Sequence, residues 1–433
     1  MSPLPEGSSV ALQTSRVTRL VAGLVLAQLC SVLGSAAFAS TLVNLASLWH
    51  LDSTRAGWIS SAYFLGYAAG VPLLVALTDR LDARLIYFAG CVIGAISGVS
   101  FSAFANGLWS AFLLQALAGL ATGATYMPGL RLLTTRLEKR TRIRAVPYYT
   151  AAWSLGTSLS FLMSGWVAER YGWRAAFLVG GFGSLLAAIL AWVATAGIPL
   201  QPDLNVVATR HPLDFRPVLK NRRAVAYILA YGGHCWELFA FRAWLPTFLL
   251  FAWRRFSNGN AGLGLSRWSM LIILIGVPAS ILGAESVKPG MRSRMARGVE
   301  SICIIACMAG VVLSGVSFHL ALVALFVYNV AIMADSGTLT AGAVEVATPD
   351  AQGATLAIYT LVGFVGAAIG PLVVGTALDL GGGFRNVHAW YLGFAAMGAG
   401  SALAAVSMSM LSVFEAREGA HLASAMRQTP RPD

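Results

Sequence analysis

VALTDRLDAR at residues 75–84 and GAESVKPGMR at residues 283–292 are polar stretches at equivalent places in the two halves of the chain. Each follows a long apolar segment and precedes another. Their starting positions are separated by about half of the 433 residues. This spacing predicts a molecule made of two halves with the same plan.

The composition is that of a membrane protein. Hydrophobic residues make up 57% of the chain and charged residues 11%, whereas soluble domains carry about 25% charged residues. The mean hydropathy is +0.71. Twelve spans of about 20 residues would leave room for connections but for no large soluble domain. The 45 glycines have no period, and the 5 cysteines lie inside apolar runs, so a collagen and a disulfide framework are also excluded.

Apolar runs bounded by charges, prolines or glycine clusters predict an all-α integral membrane protein with twelve transmembrane helices. The predicted spans are 18–48, 55–78, 84–104, 107–135, 146–168, 173–197, 223–252, 264–286, 298–317, 319–346, 353–378 and 387–413. An even number of spans places both termini on the same side of the membrane.

The distribution of Lys and Arg predicts which side that is. Of the 30 basic residues, most fall in the tails and in the connections on the side of the termini, and fewer than a third fall on the other side. Basic residues accumulate in cytoplasmic loops, so we expect both termini in the cytoplasm of a bacterial-type inner membrane. The net charge of +12 is thereby explained by topology, and no nucleic-acid partner is expected.

The longest connection contains four prolines and separates six spans from six. It predicts two pseudo-symmetric six-helix bundles. The predicted parts are an N-terminal tail at 1–17, a first bundle at 18–197, a central loop at 198–222, a second bundle at 223–414 and a C-terminal tail at 415–433. The tails and the central loop are expected to be cytoplasmic.

The two stretches quoted first resemble decayed copies of the GxxxDRxGRR loop of the major facilitator superfamily. The first keeps the Asp, the Arg and the last Arg, and the second keeps both glycines and has Lys for the first Arg. QALAGLATGATYMP at residues 115–128 is similar to the family's RxxxGxGxGxxxxP pattern, with Gln in place of Arg. The resemblance covers the whole chain and implies a transporter with a cavity lined by spans one, four, seven and ten.

Two finer resemblances bear on the type of transport. GAAIGP at residues 366–371 resembles the family's glycine–proline contact motif, whereas GTSLSF at 156–161 has lost the proline that family antiporters tend to keep in span five. This difference favours uptake over efflux. HCWELFAFRAWLP at 234–246 and ADS at 334–336 are loosely similar to the cyanate and nitrate transporter group. Spans two and eight lack the Arg that nitrate carriers use, which argues against nitrate.

Polar side chains far from span ends are concentrated in four spans, and the other eight have essentially none. Such side chains are costly in hydrocarbon and face a bundle interior or a cavity. Their occurrence in every third span independently predicts four helices around one cavity. The residues are Gln28 in span one, Gln115 in span four, His234, Glu237 and Arg242 in span seven, and Asn329 and Asp335 in span ten.

Glu237 and Asp335 are the predicted proton carriers, because intramembrane carboxylates mark proton or ion paths. The alternative is that they pair with His234, Arg242 or the backbone and only fix helix packing. Arg242 either binds an anion or extends toward the membrane surface. His234 either contacts substrate or is a packing histidine.

The remaining candidates have two readings as well. Gln28, Gln115 and Asn329 either form hydrogen bonds between helices or touch substrate. Helical phase places Tyr126 with Gln115, Tyr328 with Asp335, and Trp244 with Glu237, so these aromatic residues are candidates for the walls of a small-molecule site.

Charges at the cytoplasmic span ends are predicted to open and close an inner gate. The alternative is that they are simple topology signals. The candidate gating residues are Asp79, Arg80, Arg84, Arg131 and Glu345.

The leading hypothesis is a secondary transporter that takes up a small organic or inorganic anion with protons, by alternating access. The alternative is an efflux antiporter of a hydrophobic or cationic compound. No GxxxxGK[ST], HExxH or GxSxG motif is present, so neither an ATP-driven pump nor an enzyme is expected. A receptor would need a larger output domain. We expect no cofactor and no metal, and a functional monomer in the lipid bilayer.

Overall fold

The computed structural model describes residues 6–77, 80–198, 216–257, 263–287, 291–348 and 351–428. Within these ranges the chain is helical and contains no strand. The helices are α1 (Glu6–Ser31), α2 (Ala37–Leu48), α3 (Ser53–Leu77), α4 (Ala83–Phe104), α5 (Leu108–Thr135), α6 (Lys139–Tyr171), α7 (Trp173–Thr195), α8 (Arg216–Lys220), α9 (Arg222–Arg254), α10 (Leu263–Leu274), α11 (Gly276–Glu285), α12 (Arg292–Leu313), α13 (Phe318–Val346), α14 (Gln352–Leu380) and α15 (Val387–Gln428).

The twelve predicted spans correspond to these helices, with α1 and α2 forming span one and α10 and α11 forming span eight. In the described part of the chain, nine helical segments are long and apolar enough to cross a membrane by themselves. The prediction of an all-α, twelve-span membrane protein is confirmed.

Spans one and eight are not the continuous helices that the apolar runs predicted. In span one, the Ser160 hydroxyl of α6 enters the break between α1 and α2. It accepts a hydrogen bond from Ala36 N at 3.0 Å and donates one to Leu33 O at 2.6 Å. The hydroxyl therefore satisfies one backbone N–H and one backbone carbonyl at the break.

The break in span eight has a different cause. Pro278 has no N–H to offer to the carbonyl four residues earlier. In the last turn before the same break, the carbonyl of Ile272 accepts a hydrogen bond from the side-chain amide of Asn329 at 2.6 Å. Asn329 thus has a structural partner at this break.

Helix ends also differ from the predicted boundaries. The helix α1 begins at Glu6, inside the segment predicted as an N-terminal tail, and α15 continues to Gln428, inside the predicted C-terminal tail. The helix α6 spans Lys139–Tyr171 and so includes basic residues that were expected in a loop. The sequence limits were set by hydropathy, and a helix can continue in polar surroundings beyond the apolar run.

The helices pack as two bundles of six spans. In the first bundle α3 packs on α5, α4 on α5 and α7, and α1 on α6 and α7; in the second, α9 packs on α14 and α15, and α12 on α13 and α15. Small residues allow these close approaches. A Cβ atom at Gly66 would collide with the backbone of Ala116, and one at Gly366 with the backbone of Gly232.

The most extensive contacts between the two bundles are those of α3 with α14, α6 with α10, and α2 with α9. We call the face where α1 begins and α15 ends the termini face, and the other end of the spans the opposite face. The helix α3 begins at the opposite face, and α14 ends there. The helices α5, α6 and α9 line a space between the bundles.

Candidate functional site

A cavity of about 60 Å³ lies between the two bundles. The break in span one opens one wall, α3, α5 and α6 form the others, and α9 closes it from the second bundle. Aromatic rings and small residues predominate, with Gln115 and Arg242 among the polar groups. The lining residues are Ser35, Ala36, Phe38, Ala39, Ser60, Tyr63, Phe64, Gln115, Trp153, Thr157, Phe161, Phe239, Arg242 and Ala243.

Arg242 brings a buried guanidinium to this cavity. Its residue is 7% exposed, its Nη2 lies 3.8 Å from the sulfur of Met333, and its Cζ lies 5.6 Å from the ring centre of Phe239. Its Nε has no hydrogen-bond partner within the described ranges. No carboxylate of the described residues lies within ion-pair distance of it. A buried cation without an acidic partner is suited to receive an anion.

Aromatic rings form the walls around Arg242. Phe64 of the first bundle and Phe239 of the second have ring centres 4.5 Å apart. Trp153 faces the cavity, and Tyr126 packs edge-on behind it at 4.8 Å. Tyr126 is therefore in the second layer of the wall. Flat apolar walls with a single cation are suited to a planar anion.

A second cavity of about 50 Å³ continues into the first bundle. It shares Ser35, Tyr63 and Gln115 with the first cavity. Its other polar lining groups include the Thr122 hydroxyl, which is 2.7 Å from the hydroxyl of Tyr63. Gln115 thus lies where the two cavities meet.

The carboxylates of spans seven and ten lie together inside the second bundle. Asp335 Oδ1 is 3.0 Å from His234 Nδ1, and both side chains are buried. Glu237 accepts a hydrogen bond from the Tyr328 hydroxyl at 2.7 Å. The structure therefore brings together four of the predicted site residues, on the side of α9 away from Phe239.

A third carboxylate, Glu300 of α12, completes this group and was not predicted. Its ligand atoms lie within 4.8 Å of those of His234 and Asp335, and also of those of Glu237 and Cys303. Glu300 is fully buried. The expectation that only spans one, four, seven and ten carry deep polar groups is therefore wrong, because α12 begins at Arg292 and Glu300 lies two turns inside it. Groups spaced in this way can hold a cation or share protons.

Three other candidates have partners inside the bundles. Trp244 is fully buried, and its indole N–H donates to Pro371 O at 3.0 Å. Gln28 accepts from the Tyr149 hydroxyl at 2.7 Å, inside the first bundle. With Asn329 at the break of span eight, these residues contribute contacts between helices.

The candidate gating residues lie at the termini face, in contacts within each bundle. Arg84 is buried and pairs with Asp82 at 2.9 Å, and Arg136 pairs with the same carboxylate at 3.2 Å. In the second bundle Glu345 is 3.1 Å from Arg292. Each half thus ties its third span to the end of its fourth.

The structure describes two of the three remaining gating candidates. Arg80 is exposed and Arg131 is half-buried. Asp79 lies outside the described residues.

At the opposite face a carboxylate of one bundle caps a helix of the other, a contact that the sequence analysis missed. Asp379 of α14 accepts hydrogen bonds from Ser53 N at 2.9 Å, Thr54 N at 2.7 Å and the Thr54 hydroxyl at 2.6 Å. These donors are at the first turn of α3, where backbone N–H groups lack helical partners.

Comparisons with known proteins agree with this arrangement. Residues 24–371 match the sequence model of the Major Facilitator Superfamily. The chain is 22% identical to the niacin transporter NiaP of Acinetobacter baylyi over 61% of this chain and 66% of that protein. It is 24% identical to the 4-hydroxybenzoate transporter PcaK of the same species over 34% of this chain and 32% of that protein.

Both matches span less than two thirds of the relative. A bacterial homolog of the human lysosomal transporter Spinster, in an inward-facing and unoccupied conformation, superposes with a TM-score of 0.74 at 14% identity, covering 91% of this chain and 96% of that one. The nucleoside transporter NupG superposes with a TM-score of 0.71 at 18% identity, covering 92% and 99%. At 14% and 18% identity, these superpositions establish the fold alone.

Proposed function

The chain belongs to the Major Facilitator Superfamily, and from this premise we propose that it carries a small organic anion across the membrane together with protons. In alternating access, two bundles rock around a site between them. The cavity that contains Arg242 lies at this place.

The observation that carries the proposal is the buried guanidinium of Arg242. An unpaired Arg at membrane depth costs at least about 2.5 kcal/mol, so a partner must offset the charge. Glu237 is engaged by Tyr328 rather than by Arg242. A carboxylate substrate that binds both guanidinium N–H edges would supply the missing charge.

The walls of the cavity favour an aromatic monocarboxylate. Phe64, Trp153 and Phe239 offer ring faces and edges to a planar group, while Arg242 fixes the carboxylate end. The names of two relatives, a niacin transporter and a 4-hydroxybenzoate transporter, agree with this class of substrate.

Proton coupling is assigned to Glu237 and Asp335. Both are buried in the second bundle, and Glu237 is five residues from Arg242 on the same helix. A buried side chain of this kind can carry a proton across the membrane as a neutral carboxyl group. The basic charge of the termini face supports an orientation with cytoplasmic termini in an inner membrane. In this proposal the charged groups of that face, Arg84, Arg131 and Glu345 among them, form the inner gate.

The aromatic walls are also compatible with efflux of a hydrophobic or cationic compound. Arg242 disfavours a cation in the same cavity, because like charges repel at short range. The loss of the proline from the motif in span five also favours uptake.

The test is uptake by purified protein in proteoliposomes, under an inward proton gradient. The probes are radiolabelled nicotinate and 4-hydroxybenzoate, with nicotinamide as the uncharged counterpart of the first. We expect concentrative uptake of an acid, no concentration of the amide, and loss of uptake in Arg242→Gln. Equal transport of nicotinate and nicotinamide, or efflux of a cationic dye that Arg242→Gln does not change, would refute the proposal.

A further inference from the structure

Glu300 is a buried carboxyl group for which the protein supplies no conventional partner. It lies on α12, is fully buried, and neither of its carboxylate oxygens has a hydrogen-bond partner among the described residues. An ionised carboxylate in such a place is strongly disfavoured unless a cation or a hydrogen-bond donor offsets its charge.

The position of Glu300 between the other two carboxylates suggests its role. On one side its ligand atoms lie within 4.8 Å of those of His234 and Asp335, and on the other within 4.8 Å of those of Glu237 and Cys303. Glu300 thus has a carboxylate oxygen within 4.8 Å of each of the two predicted proton carriers.

The groups around Glu300 leave little positive charge to balance three carboxylates. Among the described residues, no Lys or Arg forms an ion pair with these carboxylates, and the basic group in the cluster is His234, which faces Asp335. The helix α15, which also packs on α12, contributes Ser401 beside Glu237. The titratable groups of the cluster are His234 and Glu237 from α9, Glu300 and Cys303 from α12, and Tyr328 and Asp335 from α13.

Like charges this close in a low-dielectric interior cannot all ionise together. The three carboxyl groups must therefore carry fewer than three negative charges, with one or more of them protonated.

We propose that Glu300 is the third carboxyl group of a proton-binding cluster and passes the coupling proton between Glu237 and Asp335. The O–H bond of a protonated Glu237 breaks as the proton moves to a Glu300 carboxylate oxygen, and the same exchange follows from Glu300 to Asp335. No bond to carbon changes, and the net charge of the cluster is conserved in each step. This inference extends the proposed function and rests on its proton coupling.

The first test needs no substrate. Infrared difference spectra of the purified protein in detergent are recorded while the pH is changed, and the carbonyl stretch of protonated carboxyl groups is followed. We expect Glu300→Gln to remove a component of this band and to change the pH range over which the remaining components titrate. The matched control is Glu169→Gln, an exposed glutamate of α6, which should leave the band unchanged. A wild-type band and titration in Glu300→Gln would overturn the inference.

The second test separates proton transfer from a structural role. In proteoliposomes, Glu300→Gln should still exchange labelled for unlabelled nicotinate but should not concentrate it under a proton gradient. Glu300→Asp keeps the carboxyl group and should recover accumulation. If Glu300→Gln does not fold, Glu300→Asp should still show the infrared component of the first test. Full accumulation by Glu300→Gln would overturn the inference. A wild type that exchanges nicotinate without concentrating it would refute the proton coupling itself, while the infrared result would still decide whether Glu300 shares protons.

Discussion

At the scale of single residues, Arg242 has the most direct consequence for function. Sequence reasoning left its partner open, because on a straight helix it is displaced by about 140° from Glu237. The structure turns Arg242 toward the cavity between the bundles and Glu237 toward Tyr328. The two charged side chains in the middle of α9 therefore face different regions, Arg242 the cavity between the bundles and Glu237 the interior of the second bundle.

We predict that Arg242→Gln abolishes nicotinate binding and that Arg242→Lys weakens it about tenfold or more, because an ammonium group cannot reproduce the two parallel hydrogen bonds of a guanidinium. Calorimetry on monodisperse protein measures both. The control is Arg254→Gln, at the exposed end of the same helix. Unchanged affinity in Arg242→Gln would return Arg242 to a role in packing.

Glu237→Gln and Asp335→Asn should fold and insert but lose concentrative uptake. Each removes a titratable proton while keeping the size and most of the hydrogen bonding of the side chain. Tyr328 can still donate to the amide oxygen that replaces Glu237 Oε1. The measurement is nicotinate accumulation under an imposed pH gradient, and wild-type accumulation in both variants would show that neither carries the proton.

At the scale of elements, the break in span one depends on one hydroxyl group of another helix. Ser160 satisfies the N–H of Ala36 and the carbonyl of Leu33. This break shapes a wall of the cavity, since Ser35 and Ala36 line it.

Ser160→Ala should therefore lower the free energy of unfolding by about 1–3 kcal/mol for each buried backbone group left unsatisfied. Thermal unfolding in detergent measures the loss as a lower Tm. Ser158→Ala is the control, because within the described part of the chain that buried hydroxyl donates to Ser154 O of its own helix and to no other group. Equal Tm values for the two variants would contradict the role given to Ser160.

At the scale of the whole molecule, Asp379 links the two bundles at the opposite face. Alternating access requires this contact to break when the cavity opens to that face. Asp379→Asn keeps one acceptor oxygen but loses the charge at the start of α3, and hydrogen bonds to charged groups contribute about 1.5–3 kcal/mol.

We expect Asp379→Asn to increase the labelling rate of a cysteine introduced at Ser60, in a cysteine-free background, by an impermeant reagent added from the opposite face. A loss of about 1.4 kcal/mol would give about a tenfold increase. Asp52→Asn is the control, since Asp52 lies at the same face and pairs with Arg55 of its own bundle. A labelling rate that Asp379→Asn leaves unchanged would show that this contact does not hold the face closed.

The orientation in the membrane is tested separately. A reporter cysteine near Asp203 should be labelled only from the cytoplasm, and one near Asn258 only from outside. Labelling near Asp203 from outside would reverse the orientation predicted from the basic residues.

The sequence by itself determined the class of molecule, the number of spans and the division into two bundles. These properties follow from hydropathy, charge and repetition, which act along the chain. Intramembrane polar residues are few and costly, so the sequence also singled out His234, Glu237, Arg242 and Asp335. Their roles remain predictions.

Only the tertiary structure decided which of these side chains face the cavity and which meet inside the second bundle. It separated Arg242 from Glu237, added Glu300 to the carboxylates, and joined Asp379 to the first turn of α3. The contacts of Glu300 and Asp379 join different helices. The separation of Arg242 from Glu237 lies within α9. They depend on how far each helix is rotated and shifted against its neighbours, and periodicity within a single helix does not contain that information.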